Sequence, residues 1–516
     1  MQDGCIPRCE KMNELEKWTE ILMFLIPFLI FTLLLANSLN VVDFVFYANV
    51  LEQSFKNGNY LLPFQTFGAY GGNTEGLSKN SLYIAISYPF VYIFSNLVKM
   101  DIEFTLNIFS AFLTSLSVLF VYKISRLFFD IKISLISSII YILIPFIFFN
   151  GINATTYSLQ LLTSSVWIYL LLKAIKNKNE KLGIISSIFF VVNIFASLSG
   201  IPLVIVQIYG LTKISRRFKW LVKNFAILTI VVIVAYYFSF VNKAYPTTFN
   251  LMKIFFMSLL FIWESSNGLS IIFFMFIVIS FFYIALRILK RKTDCVDEIF
   301  TIAFICLLPS LIIFHFIPIA NFTPIFAFLP ILFMKTFQGN KYFKIYVLLI
   351  IIFALIKIVP IDYELHMYPH PHKEYSIWLN EIAQGSIVVA GHECSWIQYY
   401  TNLTFVCRTR NLQQIDIQNK KIILTEEYFK NENQMEFEYL VNSFNIPFTG
   451  IVEQELEKVD MFTNKTFMKI AEYPNEVRLI EDPYQWLYTV YPNIYTSFFI
   501  NLEFLKPNYA IYSIME

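Results

Sequence analysis

Twelve apolar runs punctuate the chain, at about 21–39, 81–98, 104–122, 134–150, 156–172, 183–198, 200–212, 224–241, 269–287, 299–317, 324–338 and 343–360. Most approach the length that lets a helix cross the hydrocarbon core of a bilayer. The links between them alternate in charge. Residues 123–133, 173–182, 213–223, 287–298 and 335–344 hold 3, 4, 5, 4 and 3 Lys or Arg. Residues 150–155, 197–201, 242–268 and 318–323 hold only Lys243 and Lys253. The basic links are therefore expected on the cytoplasmic side.

With Lys123 inside, the run 104–122 leads inward, and the run before it decides where residues 40–80 lie. If 81–98 spans, they are cytoplasmic and the N-terminus is outside. That run is interrupted by Ser87, Pro89, Ser95 and Asn96, and only Lys99 to Glu103 join it to the next. A shallow or re-entrant helix fits it better. The expectation is then eleven spans, a cytoplasmic tail at 1–20, a membrane domain at 21–360 and a first outer loop at 40–103. Everything after Pro360 lies outside under both readings.

The polar interruption from Leu39 to Asn80 opens with Asp43 about one turn beyond the first apolar run. Read as a helix, Phe44, Ala48, Leu51 and Phe55 form an apolar face. Asn49, Glu52, Gln53 and Lys56 form a polar one, and Asp43, Tyr47 and Ser54 line a third flank. This predicts an interfacial helix. Four of the 15 glycines fall between Gly68 and Gly76, which suits an irregular loop able to approach a ligand closely. A linker lying on the membrane has the same pattern.

Composition fixes the broad class. With 57% hydrophobic residues, 15% charged residues and 56 Phe, the chain is an α-helical polytopic membrane protein. A net charge of +2, with no basic cluster interleaved with aromatics, excludes nucleic acid as the expected partner. No small-residue cleavage site follows the first apolar run, so that segment is expected to stay as an anchor.

Past Pro360 the character changes, and residues 361–516 read as an extracytoplasmic soluble α/β domain large enough for its own core. The pattern predicts a helix over 373–384 ending at Gly385, a strand at Ile387–Ala390, a helix from Cys394 to Tyr400, strands at Leu403–Cys407 and Lys421–Leu424, and a helix over 426–444. The tail from Tyr484 to Tyr512 is aromatic-rich and reads as β or interfacial.

Four of the five histidines fall in this region, at His366, His370, His372 and His392. They suit a metal site or, in Tyr368-Pro-His-Pro-His372, an extended linker off the membrane. Cys394 and Cys407 flank the predicted helix and strand on the oxidising side, where a disulfide is permitted. Asn-x-Ser/Thr matches at Asn153, Asn321, Asn402 and Asn464 all fall on expected outer segments.

Several weak motifs stand in a telling order. A first span is followed by Asp43, Tyr47 and Leu51, then Gly58 and Leu61-Leu62-Pro63, then Ser81-Leu82-Tyr83 leading into a short apolar helix. Tyr122-Lys-Ile-Ser-Arg126-Leu-Phe-Phe129 lies between two later spans, with Ile144-Pro145 at the outer end of the second. This order resembles the C-type glycosyltransferase superfamily (GT-C), with an architecture like that of protein mannosyltransferases and aminoarabinose transferases. The likeness covers roughly residues 20–240 in pattern and the whole chain in architecture. It implies transfer of a sugar from a polyprenyl-phosphate carrier to a lipid, glycan or protein acceptor at the outer membrane face, with Asp43 as the active-site carboxylate.

The chemistry has its own logic. A polyprenyl-phosphate donor keeps its tail in lipid and presents its phosphate where the bilayer ends. A carboxylate there accepts the proton of an attacking hydroxyl or positions a divalent metal ion. Tyr47, Glu75, Lys243, Lys253 and Glu264 are the expected substrate-binding residues, and Lys56 and Lys79 are further outer-side cations. Lys357, just inside the outer end of the last run, reads as a lysine snorkelling to the headgroups or as a phosphate ligand.

Many family members carry an Arg-Tyr pair before a late Pro-containing helix. This chain has Asn321-Phe322-Thr323-Pro324 with Pro330 and no arginine there, and nearby His315 is the expected substitute as ligand or metal partner. The segment Val388 to Tyr400 stands where oligosaccharyltransferase subunits carry Trp-Trp-Asp-Tyr-Gly, but lacks that motif, so a monosaccharide transferase is the expected type. The competing reading is a non-enzymatic membrane protein, such as a transporter of lipid or polysaccharide or an inactive relative. A transporter is expected to show ionisable residues or broken helices near mid-membrane and an internal repeat, and the sequence offers neither.

Overall fold

A computed structural model describes residues 14–39, 42–58, 81–196, 198–215, 217, 220, 224, 258, 261–262, 265–290, 292–308, 318–367, 371–390, 394–407, 422–425, 467–473 and 510–514. They fall into two compact units, Met1–Leu35 with Gly76–Val359, and Ala36–Glu75 with Pro360–Glu516. In chain order the helices are α1 (Glu14–Leu33), α2 (Val42–Asn57), α3 (Ser81–Tyr92, continued by a π-turn at Ile93–Leu97), α4 (Ile102–Arg126), α5 (Ile131–Ile142), α6 (Pro145–Ile152), α7 (Thr156–Asn177) and α8 (Glu180–Ala196). They continue as α9 (Val204–Ile214), α10 (Ile271–Leu289), α11 (Cys295–Leu307), α12 (Leu329–Phe337), α13 (Phe343–Met367), α14 (Pro371–Ile382) and α15 (Cys394–Tyr400).

The first unit is a helical bundle built on α4 and α7, which pack against each other, with α1, α5 and α6 on α4 and α8 on α7. In α4 and α7, 67% and 78% of the most apolar stretch is buried, against 22% and 28% in α10 and α13, so the first pair is central and the second pair turns its apolar surface outward, toward hydrocarbon. Sequence chemistry explains the difference. The central helices bury Ser110, Thr114, Ser115, Ser117, Ser158, Thr163, Ser164 and Ser165, small residues that let helices approach closely. Their hydroxyls are satisfied locally, as in Ser115 Oγ donating to the Ala111 carbonyl at 2.7 Å, or across helices, as in Thr163 Oγ1 to Asn193 Oδ1 at 3.1 Å.

Gly151 of α6 shows how tight the packing is. A Cβ there would lie 2.7 Å from the Phe31 ring of α1, and Phe31 is fully buried.

Among the described residues four helices are long and apolar enough to cross a membrane, namely α4, α7, α10 and α13, and a fifth crossing is counted if α5 and α6 form one bent span. The eleven spans expected from the sequence draw on the run 224–241, of which 225–241 lie outside the described residues, and on residues 309–317, which also lie outside them. The run 134–150, expected as one span, divides into α5 and α6 at an angle of 69°. The break precedes Pro145, whose ring forces Ile144 out of the helical region (ψ 117°) and then starts α6 at its first position. The run 81–98 is continuous from α3 through its π-turn.

The five basic links share one end of this unit. Arg126 donates from Nε and Nη2 to Glu16 Oε1 at 3.0 and 2.8 Å, and from Nη1 to the Phe129 carbonyl at 2.7 Å. Lys123 pairs with Glu20 at 2.9 Å. Lys176 donates to the Leu127 carbonyl and Lys178 to that of Lys213, while Lys213 pairs with Glu298 at 3.0 Å. The chain of contacts ends at Asp294 and Asp297 of the α10–α11 link, which bind Arg287 and Lys335. The alternation of charge along the sequence is thus an alternation of ends in space, and Arg126, read as a family motif residue, acts as a clamp between α1 and α4.

The second unit contains a five-stranded sheet of β1 (Ile387–Ala390), β2 (Thr404–Cys407), β3 (Ile422–Thr425), β4 (Phe467–Glu472) and β5 (Ala510–Ile514) in the order β2-β1-β3-β5-β4. β1 runs parallel to β2 and β3, and β5 runs antiparallel to β3 and β4. Tyr375, Leu379, Val388, Ala390, Ile397, Leu403 and Ile423 form its core. α14 is followed by Gly385 at φ +76°, the left-handed residue that ends the turn into β1. The helix starts at Pro371, inside the His-Pro run that reads as a linker, and the helix expected over 426–444 lies outside the described residues. Asn153 is fully buried, so this sequon does not present itself for glycosylation.

Candidate functional site

The chain leaves α1 through Ala36 to Leu39, where the Asn37 amide donates to the Leu365 carbonyl at 2.8 Å. α2 then begins at Val42, which places Asp43 on its first turn, the position where exposed helical N–H groups favour a carboxylate. The Asp43 side chain itself is outside the described residues.

Along α2, Val45, Tyr47, Ala48, Val50 and Leu51 are buried, and so are Asn49 and Ser54. Gln53 and Lys56 are exposed. The helix packs against α15 within the second unit. This corrects the sequence reading of a helix with one apolar face in the membrane interface. Amphipathic spacing does not distinguish a lipid surface from a protein surface, and Asn49, assigned to the polar face, lies inside. Asn49 Oδ1 accepts from Gln53 Nε2 at 3.3 Å, while its buried Nδ2 has no acceptor.

α15, the partner of α2, follows directly on β1. Its Trp396 is buried, stacks on Tyr400 at 6.1 Å between centroids, and meets the His372 ring of α14 at 5.8 Å. Lys373 Nζ lies 5.0 Å over the Tyr400 ring. The helix that carries Asp43 therefore packs on α15, whose aromatic residues Trp396 and Tyr400 are themselves packed with His372 and Lys373 of α14. Tyr47, expected as a substrate-binding residue, is a buried member of the α2 packing face.

Glu75, Lys243, Lys253, Glu264 and His315 lie outside the described residues, as do the side chains of Cys394 and Cys407. In the backbone, Cys407 lies opposite Ala390 in the β1–β2 register, and Cys394 opens α15 four residues after Ala390. Among the described residues no three His, Cys, Asp or Glu side chains converge as a metal site would require. Cys295 and Cys306 are free thiols, and burial pushes the Cys295 thiol up to about 11, which makes it unreactive.

The first unit holds a polar site that the sequence reading assigned differently. Lys357 of α13 is 4% exposed, and its Nζ lies 3.3 Å from Asn267 Oδ1. It does not reach outward along lipid as a snorkelling lysine would. Asn267 belongs to the turn Ser265–Ser270 that precedes α10, in which Ser265, Asn267 and Ser270 are all buried. The signal in the sequence was a lysine after the uncharged stretch 345–356, together with a Ser-Asn-Gly-x-Ser helix start far from it along the chain.

Residues 85–242 match the family model described as dolichyl-phosphate-mannose-protein mannosyltransferase. No curated protein matches the sequence. Among solved structures, the fold is similar to the oligosaccharyltransferase of Archaeoglobus fulgidus in the apo form, with a TM-score of 0.51 at 13% identity, covering 78% of this chain and 65% of that one. It is also similar to ArnT from Cupriavidus metallidurans in the apo state, with a TM-score of 0.51 at 11% identity, covering 80% of this chain and 94% of that one. The chain thus spans just under two thirds of the archaeal protein and nearly all of the bacterial one. At these identities the likeness is one of fold, and the fold is that of the GT-C membrane proteins that the sequence motifs resemble.

Proposed function

We propose that this GT-C-fold chain is a membrane glycosyltransferase that moves a sugar from a polyprenyl-phosphate carrier to an acceptor at the outer membrane face, with Asp43 as its catalytic base. The match of residues 85–242 to the family model described as dolichyl-phosphate-mannose-protein mannosyltransferase carries this reading. The position of Asp43 on the first turn of a helix packed into the second unit supports it.

In the reaction, the acceptor hydroxyl attacks the anomeric carbon, its proton passes to the Asp43 carboxylate, and the bond from that carbon to the phosphate oxygen breaks. The carrier leaves as a phosphate monoester that takes the bonding electrons. The basic end of the first unit is cytoplasmic in this scheme, which leaves the second unit outside. Purified protein incubated with a polyprenyl-phosphate sugar labelled in the sugar tests the reading. Loss of label from the carrier in the presence of a membrane extract, with release of polyprenyl phosphate, is the expected result, and an unchanged carrier with every extract fraction contradicts it.

A further inference from the structure

Ser270 stands at the N-cap of α10 and is 3% exposed. Its side chain makes no capping bond, and its buried Oγ has no hydrogen-bond partner. A buried hydroxyl left this way loses its hydrogen bonds to water without replacement, which is costly. Its backbone sits at φ +64°, a left-handed conformation that disfavours serine.

Three features meet around it. α10 has 19 residues, no acidic residue in its first turn, and initial backbone N–H groups without intrahelical acceptors, so its N-terminus carries a positive end that no acidic residue of its own first turn offsets. Asn267, three residues before Ser270, accepts the Ser270 amide on its carbonyl at 3.3 Å. The same Asn267 meets the buried Lys357 Nζ through its side chain. Amines inside membrane helices are costly and mark sites for ions or substrates. A cation held to this turn through Asn267, a helix N-terminus and an unused hydroxyl are a donor set for a tetrahedral oxyanion.

We infer that Lys357, Ser270 and the N-terminus of α10 form a buried binding site in the first unit for a phosphate group. Lys357 supplies the charge as its ammonium form, Ser270 Oγ donates one hydrogen bond, and the backbone N–H groups of α10 complete the shell. Such a phosphate arrives either at the head of a lipid or as the free ion. If it is lipid-borne, the inference rests on the carrier-dependent reading above.

Equilibrium binding of radiolabelled farnesyl phosphate to the purified full chain in detergent, with inorganic phosphate as competitor, separates these cases and needs no sugar transfer. Lys357→Met is expected to weaken binding by at least about 10-fold, and Ser270→Ala by a few-fold. Lys357→Arg should retain most of it. Ser270→Gly should raise the melting temperature by relieving the left-handed strain while lowering affinity, an opposition that a purely structural Ser270 would not show. Displacement by millimolar inorganic phosphate identifies a free-phosphate site, and resistance to it identifies a lipid phosphate. Binding by both Lys357→Met and Ser270→Ala at the wild-type level would overturn the inference, whatever the transferase assay shows.

Discussion

Lys335 Nζ lies 2.6 Å from Asp297 Oδ1, which ties the last turn of α12 to the first turn of α11 with both groups largely withdrawn from water. Arg287 Nε approaches the other oxygen of Asp297 at 3.1 Å. Asp294, the N-cap of α11, completes a capping box with Asp297. Three helices therefore meet on one pair of carboxylates. Lys335 also reaches both oxygens of Asp294, at 2.7 and 2.5 Å, so Asp297→Ala leaves it paired and is expected to cost about 0.5–3 kcal/mol. Lys335→Met should cost less in the Asp297→Ala background than alone, because the two residues are coupled. Thermal unfolding of the detergent-solubilised variants checks this, and additive losses would contradict it.

The same cluster predicts a pH dependence. Burial acts to raise the Asp294 carboxyl, but the Lys335 ammonium, its hydrogen bond and the Asp297 amide outweigh that and hold the carboxyl below its usual range. A folded-state value below the unfolded one means the stabilisation is present above the ordinary carboxylate range and is lost as pH falls through the folded value. Because Asp294 is about half exposed, solvent screening keeps the effect to less than about 1 kcal/mol. The melting temperature of Asp294→Asn should thus differ from wild type at pH 7 and converge with it below pH 4. A constant difference across that range would show that the capping geometry alone matters.

Gly151 tests the core of the bundle. An alanine Cβ would press on the buried Phe31 ring, and overpacking of this kind costs about 1–3 kcal/mol. Gly151→Ala should lower the melting temperature, and Phe31→Leu in the same chain should recover part of the loss. Equal melting temperatures for Gly151→Ala and wild type would show that α6 shifts freely against α1.

Most of the bundle was legible in the sequence. Apolar runs set the helices, and lysines and arginines sorted their ends, since both signals are local and additive. The kink at Pro145 was visible as a residue but not as an angle, because the bend depends on what α5 and α6 pack against. The buried side of α2 and the interior position of Lys357 were not legible. Each is decided by a partner distant along the chain, α15 in one case and the Ser265–Ser270 turn in the other, and spacing alone does not reveal a partner. The strand at Ile387–Ala390 and the helix at Cys394–Tyr400 were readable because β-branched residues and a glycine turn announce them in sequence.

Membrane sidedness is open to direct labelling. With the end that holds Arg126, Lys178 and Lys335 cytoplasmic, a Gln65→Cys variant should react with an impermeant thiol reagent added to intact cells, and Lys178→Cys should react only after permeabilisation. The reverse pattern would invert the orientation and with it the face on which transfer occurs.

Cys394 and Cys407 both lie toward the C-terminal edge of the parallel strands β1 and β2, which brings their backbones to one end of the sheet. We expect them to pair in the oxidising space outside the cell. Mass spectrometry of non-reduced peptides from protein alkylated before lysis should find them linked, and two alkylated thiols would refute the pairing.

The central claim is that Asp43 does chemistry on a carrier-linked sugar. Asp43→Asn keeps the size of the side chain and removes its basic oxygen, so insertion and melting temperature should match wild type. Loss of general-base assistance lowers the transfer rate by roughly 10²–10⁴-fold. The decisive measurement is single-turnover transfer from a labelled polyprenyl-phosphate sugar by wild-type and Asp43→Asn protein at matched occupancy of the carrier. The account predicts unchanged carrier binding with a rate reduced by at least about 10²-fold, and transfer by Asp43→Asn at the wild-type rate would contradict it.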